Sequence, residues 1–135
     1  MLVTREYDYA LRILRALSSG EQRTVKEICE GEHIPQPYSY KILKKLEHAS
    51  IVKAQRGNKG GYRLTNSPEE INLYDVYTAI EGQLYINECM QEGFACPHNQ
   101  GSQCSIHREL GRIQRQLAAE LQGRSMADVL DPQGK

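Results

Sequence analysis

The sequence predicts a mainly α-helical fold, a winged helix-turn-helix with a two-stranded wing and a long C-terminal helix. Apolar residues recur at helical spacing along most of the chain. Two short helical segments flank a tight turn, as in a helix-turn-helix, and two alternating segments around a glycine-rich turn predict a hairpin directly after them. The 135 residues are enough for one domain with its own core.

Three helices are predicted before the hairpin. The first begins after Thr4, stops at Ser18-Ser19-Gly20, and carries an apolar stripe at Tyr7, Ala10, Leu11, Leu14 and Leu17. The second begins at a capping box headed by Thr24 and ends by Gly31. Cys29 lies on the apolar face of this second helix, so we expect it in the core rather than in a reactive site.

The third helix follows the turn 32–34 and runs from about Gln36 or Pro37 to His48. Helical spacing predicts an inward face made of Tyr38, Ile42, Leu43 and Leu46. The outer face is predicted to be largely exposed and basic, and consists of Ser39, Tyr40, Lys41, Lys44 and Lys45. Such a face is typical of the second helix of a helix-turn-helix.

The hairpin that follows is predicted from the alternating segments 51–55 and 62–65. The turn between them carries three glycines and two cations, as in the wing of a winged helix. Ser67-Pro68-Glu69-Glu70 predicts a capped helix start, and Asn72 is predicted to cap another helix that ends before Gly82.

The remainder is predicted as a loop followed by a long helix. Glycine and proline interrupt any pattern from Cys89 to Cys104. Apolar residues then recur at intervals of three and four from Ile106 to Leu121, which predicts a helix of about four turns. Residues 125–130 fit one last short helix, and residues 131–135 form a tail.

Charge is divided unevenly along the chain. The formal net charge is zero and the pI is about 6.9, which taken alone argues against a nucleic-acid partner. Residues 1–65, however, hold 12 Lys+Arg against 7 Asp+Glu, whereas residues 66–135 hold 5 against 10. Within residues 36–63, seven cations stand against one acid, Glu47. On a helix-turn-helix with a wing, this cluster predicts a double-stranded DNA partner rather than a merely solvated face.

The expected DNA contacts lie on the third helix and the wing. The start of that helix is expected in a major groove, with base edges read by Pro37, Tyr38, Ser39, Tyr40 and Lys41, and with Lys44 and Lys45 nearby. On the wing, Arg56, Asn58 and Lys59 can reach a minor groove or its phosphates. No apolar run approaches the ~18–20 residues of a membrane span and no signal peptide is recognisable, so we expect a cytoplasmic protein.

Three cysteines stand out in the loop. Six and seven residues separate Cys89, Cys96 and Cys104, which lack the close pairs of structural zinc sites. Spread thiolates in one flexible loop instead suit an iron–sulfur cluster. His107 follows Cys104 at helical spacing and is the candidate fourth ligand, whereas His98 is interpreted as a solvated loop residue. A metal-free thiol switch and a zinc site that includes His107 remain as alternatives.

The apolar seam of the long helix has two interpretations. It can pack on the chain's own core, or it can pair with its copy in a homodimer. The second is favoured because the first three helices already close a winged-helix core. We therefore divide this single domain into a winged helix-turn-helix DNA-binding part (1–82), a cysteine cluster loop (83–104) and a dimerisation helix with its tail (105–135).

Enzymatic functions are not indicated. The sequence contains no nucleophile elbow, no phosphate-binding loop and no pair of carboxylates in a plausible pocket. The glycine-rich segment 56–61 lacks the spacing of a Walker motif. A binding function is therefore expected, either for DNA or, as an alternative, for another protein with the cysteines holding structural zinc.

Four segments together resemble the Rrf family of bacterial winged-helix regulators. They are Thr4-Arg5-Glu6-Tyr7-Asp8-Tyr9-Ala10, Ile34-Pro35-Gln36-Pro37-Tyr38, Arg56-Gly57-Asn58-Lys59-Gly60-Gly61-Tyr62 and the loop of Cys89, Cys96 and Cys104. The resemblance covers nearly the whole chain. It implies a homodimer joined by the long helix, a roughly palindromic operator, and a cluster whose state changes DNA affinity.

The resemblance implies two possible fourth ligands. His107 matches the histidine of the IscR type, which implies a 2Fe-2S cluster and sensing of cluster supply. Asp8 falls where the NsrR type supplies a carboxylate from the partner subunit, which implies a 4Fe-4S cluster and sensing of nitric oxide. His107, and with it 2Fe-2S, is slightly favoured. Family members without a cluster exist, but the three cysteines favour one here.

Overall fold

The computed structural model describes residues 3–98 and 103–131. The expected fold class is confirmed: the chain is mainly helical, with one two-stranded antiparallel sheet in the described residues. In chain order the elements are α1 (Arg5–Ala16), α2 (Val25–Glu32), α3 (Gln36–His48), β1 (Val52–Gln55), β2 (Gly61–Leu64), a 3₁₀ turn (Pro68–Glu70), α4 (Leu73–Glu81), a second 3₁₀ turn (Glu88–Met90), α5 (Ser105–Gln122) and α6 (Met126–Leu130).

Side-chain caps begin the helices where the sequence places them. The hydroxyl of Thr4 accepts a hydrogen bond from Tyr7 N, and the hydroxyl of Thr24 accepts one from Glu27 N. Asn72 caps α4 in the same way. Each cap satisfies a backbone N–H that the first turn of a helix leaves without an internal partner.

Two predicted boundaries are wrong. Helix α2 passes Gly31 and ends at Glu32, because His33 adopts the left-handed conformation (φ 56°) and donates its N–H to the carbonyl of Cys29. The start predicted at Ser67 yields only one 3₁₀ turn. Residues 71 and 72 are extended, and backbone hydrogen bonds of Ile71 and Leu73 to the segment 124–126 hold this stretch, so the turn does not continue as a helix.

The core lies between α1, α2, α3 and α4. Ile13, Ile42, Leu43 and Val76 are fully buried there. Cys29 is 9% exposed and is not in a disulfide, which confirms it as a core residue.

The exposure predicted for two neighbours on α3 is reversed. Ser39 is fully buried, and its Oγ lies 2.9 Å from Cys29 Sγ of α2. Tyr38 is 49% exposed. The buried stripe therefore runs 39, 42, 43, 46, which is also a helical spacing, and the small serine lets α2 approach closely. Ser39 cannot contact DNA in this fold.

The wing is anchored to the segment before α2. The strands pair Val52 with Leu64 and Gln55 with Gly61. Arg23 adds a bridge to Tyr62, with hydrogen bonds of 2.9 Å and 2.8 Å between their main chains. These bonds fix where the wing stands relative to the helix-turn-helix.

Helix α5 has 18 residues, or five turns, and lies only partly on the body of the chain. Leu117 and Leu121 pack against the core. Ile106 is 68% exposed and Ile113 is 40% exposed. After α5 the chain returns, and Met126 at the start of α6 is 2% exposed in the main core. Among the described helices, none has the length and apolar character needed to cross a bilayer.

Candidate nucleic-acid interface and cysteine-lined cavity

The start of α3 and the wing border one groove of about 490 Å³. Tyr40 and Lys44 line it from α3, and Arg56 lines it from the wing. Asn58 and Lys59 line an adjoining depression near the start of α2. The structure thus brings together, on one side of the molecule, predicted residues that lie up to 19 positions apart in the sequence.

Three exposed cations of this groove and its adjoining depression have no side-chain partner in the part of the chain that the structure describes. Lys44, Arg56 and Lys59 are exposed, and no hydrogen bond or ion pair of their side chains is found among the described residues. A free cation at a concave surface attracts polyanions, and a DNA backbone supplies closely spaced phosphates. These three side chains are therefore free to bind phosphate.

Two tyrosines are exposed at the start of α3. Tyr38 stacks at an angle on Tyr9 of α1, with ring centroids 6.0 Å apart. The hydroxyl of Tyr40 accepts a hydrogen bond of 3.2 Å from the amide of Gln36. Pro37, between them and the helix start, is also exposed. Rings at such positions present an apolar face and a polar tip to a ligand.

Lys41 and Lys45 differ from the free cations because both bind Glu6 of α1. Lys41 Nζ donates to Glu6 Oε1 at 2.8 Å, and Lys45 Nζ donates to Glu6 Oε2 at 2.9 Å. Lys45 also donates to the carbonyl of Ile80 at 3.0 Å. Hydrogen bonds from the two lysines hold the pKa of Glu6 below its ordinary value. No local sequence pattern places Glu6 against α3.

The wing carries a second feature that the sequence does not show. Lys53 and Arg63 are direct cross-strand neighbours, and both are exposed. Like charges directly opposite each other weaken strand pairing. This pair adds positive potential to the wing at a cost in stability.

The three loop cysteines line a single cavity of about 550 Å³. His107 lines it too, from the first turn of α5, and Cys104 is the N-cap residue of that helix. Asn87 donates a hydrogen bond of 3.1 Å to Cys89 Sγ. The loop and the start of α5 therefore line one cavity together.

His98 also lines this cavity, although its sequence context indicated a solvated loop residue. It is exposed as well. Its neighbour Pro97 says nothing about which way the imidazole points, so sequence reasoning had no signal for it.

The donors fit an iron–sulfur cluster by their chemistry. Thiolates are the ordinary ligands of such clusters, and imidazole replaces them in some. Across the described residues, no three His, Cys, Asp or Glu side chains are close enough together to hold a single metal ion. The cysteines thus share a cavity without forming a compact site for one ion.

Asp8 does not line the cavity of its own chain. It lies in the first turns of α1 and forms an ion pair of 3.0 Å with Arg12, one helical turn later. Its side chain is 47% exposed, which leaves it accessible to a second copy of the chain.

Comparison with known proteins extends these observations. A family model described as Rrf2, an iron-dependent transcriptional regulator, matches residues 3–132. The transcriptional regulator NsrR of Bacillus subtilis (strain 168) is 35% identical over 92 residues, which cover 66% of this chain and 63% of that protein.

Two solved structures share the fold along nearly the whole chain. The global cysteine regulator CymR of B. subtilis superposes with a TM-score of 0.74 at 21% identity, over 96% of this chain and 95% of that one. IscR of T. potens superposes with a TM-score of 0.73 at 22% identity, over 96% and 86%. At these identities the likeness shows a common winged-helix fold.

Proposed function

The chain belongs to the Rrf2 family of transcriptional regulators, and we propose that it is a homodimer whose operator affinity depends on an iron–sulfur cluster. The family is one of DNA-binding regulators and not of enzymes. One observation carries the proposal: Cys89, Cys96, Cys104 and His107 line the same cavity at the start of α5.

The DNA contacts in this proposal follow from exposure. Pro37, Tyr38 and Tyr40 enter the major groove, where a tyrosine ring can meet thymine methyl groups. Lys44, Arg56 and Lys59 bind phosphates, since no other described residue pairs with their side chains. Asn58, near the tip of the wing, reaches the adjacent minor groove.

Homodimerisation is proposed through the first half of α5. Leu117 and Leu121 already pack on the chain's own core, whereas Ile106 and Ile113 remain exposed on the same apolar seam. A second copy of the seam would cover them. A two-fold dimer places its two copies of α3, the recognition helices, on half-sites about one DNA turn apart, which accounts for a roughly palindromic operator.

The cluster ligands in this proposal are Cys89, Cys96 and Cys104 with one further donor. Of the candidates, His107 and His98 line the cavity, and Asp8 of the partner subunit is the third. When bound, the cluster would make the protein responsive to redox state, to the supply of iron or to nitric oxide. Both 2Fe-2S and 4Fe-4S clusters are compatible with three thiolates and a fourth donor.

The link to DNA runs through α5. Cys104 is the N-cap residue of this helix and His107 lies in its first turn, so ordering these side chains also orders the start of the proposed dimer seam. A change there shifts the population of dimers whose recognition helices match the operator spacing.

Anaerobic purification with iron and sulfide analysis tests the cluster. The wild-type dimer should be brown, and each of Cys89→Ala, Cys96→Ala and Cys104→Ala should lose most of its iron. Cys29→Ala is the matched control and should keep it, because Cys29 lies in the core. His98→Ala and His107→Ala, compared by Mössbauer spectroscopy, identify the fourth donor and the cluster type.

An iron-free dimer with full operator affinity would refute the sensing role. If DNA binding by that iron-free protein depends on oxidants, the cysteines form a thiol switch. If the protein contains bound zinc, the cysteines have a structural role.

Sedimentation equilibrium tests the dimer. Ile113→Glu should give monomers that bind a full operator weakly. Val129→Glu changes a residue of similar exposure on α6, outside the seam, and should leave the dimer intact. Equal association of both variants with the wild type would contradict the proposed interface.

A further inference from the structure

We infer that Glu6 acts as an internal substitute for a DNA phosphate, which withholds Lys41 from the DNA backbone and thereby limits sequence-independent binding. The inference rests on the DNA-binding surface proposed above. It deepens that proposal by separating the basic residues of α3 into free and occupied cations.

The geometry places one carboxylate between two lysines a helical turn apart. Each oxygen of Glu6 accepts one ammonium hydrogen bond, at 2.8 Å from Lys41 and 2.9 Å from Lys45. The Glu6 side chain is only 25% exposed, whereas that of Lys41 is 62% exposed. The carboxylate is therefore fixed by its surroundings, and Lys41 is the member of the group that DNA can approach.

Lys45 is bound more firmly than Lys41. Besides Glu6, it donates to the carbonyl of Ile80 in the last turn of α4, an acceptor that the helix itself leaves unpaired. It thus ties α1, α3 and α4 together. We assign Lys45 a structural role and Lys41 the exchangeable one.

A second carboxylate reinforces the hold on Lys41. Glu81 at the end of α4 raises the pKa of Lys41 together with Glu6, whose hydrogen bond is the larger cause. Glu81 itself accepts a hydrogen bond from the hydroxyl of Thr4. Because the pKa of Glu6 is lowered, its charge persists through the neutral range.

The consequence concerns specificity. Each lysine that neutralises a phosphate adds sequence-independent affinity and salt dependence. A lysine already neutralised by Glu6 adds little affinity and little salt dependence, because its ion pair with Glu6 must break before it can bind a phosphate. The fold thus lowers affinity for random DNA without removing the residues that read bases.

Binding to a random-sequence duplex across a salt series tests the inference, since it needs no knowledge of the operator. The slope of log affinity against log salt should become steeper by about 0.9 per protomer in Glu6→Gln, the value for one additional phosphate contact. Between 1 M and 0.1 M salt, the affinity of Glu6→Gln for the duplex should therefore rise about eightfold more than that of the wild type. Glu6→Gln/Glu81→Gln should give at least the same change.

Lysine substitutions identify which cation is released. In the wild type, Lys44→Gln should flatten the slope by about 0.9, whereas Lys41→Gln should change it by much less. In the Glu6→Gln background, Lys41→Gln should flatten the slope as much as Lys44→Gln does. This dependence on background separates release of Lys41 from a general effect of removing negative charge. Circular dichroism and thermal melts check that each variant is folded.

The outcomes distinguish the two levels of the argument. If Lys44→Gln leaves the slope unchanged, the proposed DNA surface is wrong and the inference falls with it. If Lys44→Gln flattens the slope but Glu6→Gln and the double variant match the wild type, only the role of Glu6 is refuted. It is also refuted if Lys41→Gln equals Lys44→Gln in the wild-type background.

Discussion

Replacing Gly61 by alanine should detach the wing from the body of the protein. Gly61 has a φ of 154°, and a methyl group there would lie 2.8 Å from the carbonyl carbon of Arg23 and overlap its oxygen. The backbone of Arg23 or of the wing must move apart. That movement breaks the two main-chain hydrogen bonds between Arg23 and Tyr62.

The expected cost has two parts. A non-glycine residue in this backbone region costs on the order of 1–3 kcal/mol. The two lost hydrogen bonds add about 0.5–1.5 kcal/mol each. We therefore expect Gly61→Ala to lower the free energy of unfolding by about 2–6 kcal/mol, a large share of the ~5–15 kcal/mol typical of a domain.

Gly57→Ala is the matched control. Gly57 also has a positive φ, of 112°, but nothing lies within 4 Å of the position its methyl group would take. This variant should pay only the backbone strain, so the two variants should differ by about 2 kcal/mol. Urea unfolding at one protein concentration measures both, because dimerisation would otherwise add to apparent stability.

Hydrogen exchange identifies where the loss occurs. The amides of Arg23 and Tyr62 should lose protection in Gly61→Ala while those of α1 and α3 keep theirs. If Gly61→Ala costs no more than Gly57→Ala, the close approach of wing and body does not hold the wing in place.

Three further predictions concern the core and the sheet. Tyr7→Phe removes a 2.9 Å hydrogen bond to the carbonyl of Leu73, the first residue of α4, and should lower the free energy of unfolding in urea by about 1 kcal/mol. Burial raises the pKa of Tyr7 from 10.0 to about 12, so the advantage of the wild type over Tyr7→Phe should be complete below pH 10 and decline from about pH 10 to 12. If the ring is hydrated, the two proteins should show the same pH dependence in this range. Met126→Ala should cost about 2–5 kcal/mol, against under about 1 kcal/mol for the half-exposed control Val129→Ala; equal costs would show that α6 does not dock on the core. Arg63→Thr should raise stability by about 0.2–1 kcal/mol at low salt, because it removes the like-charge pair with Lys53, and a gain that persists at high salt would contradict this cause.

Local rules explain how much of the fold the sequence could predict. The caps at Thr4, Thr24 and Asn72 depend on residues three positions apart, so spacing alone identifies them. The buried and exposed faces of α3 were harder to predict. Tyr38 lies four residues before Ile42 and Ser39 lies three before it, so both satisfy helical periodicity. Hydrophobicity favours the tyrosine, but close packing against α2 selects the smaller serine.

Long-range contacts limited the prediction of the site. The cysteines and His107 were found because one loop and one helix start carry all of them. His98 was passed over because loop residues follow no periodicity that would orient them. The bridge between Arg23 and Tyr62 of the wing joins positions 39 residues apart, and no sequence pattern in either segment predicts it.

Glu6 shows why charge counted along a sequence differs from charge on a surface. Seven cations against one acid in residues 36–63 indicated a strongly positive face. The fold then brings Glu6, 35 positions before Lys41, onto two of those cations. Within the described residues, the cations of α3 and the wing that have no side-chain partner form a smaller set, and three of them, Lys44, Arg56 and Lys59, lie around the groove and its adjoining depression. Because affinity for any DNA scales with the phosphates neutralised, while discrimination depends on groove contacts, a smaller free charge favours the operator over the rest of the genome.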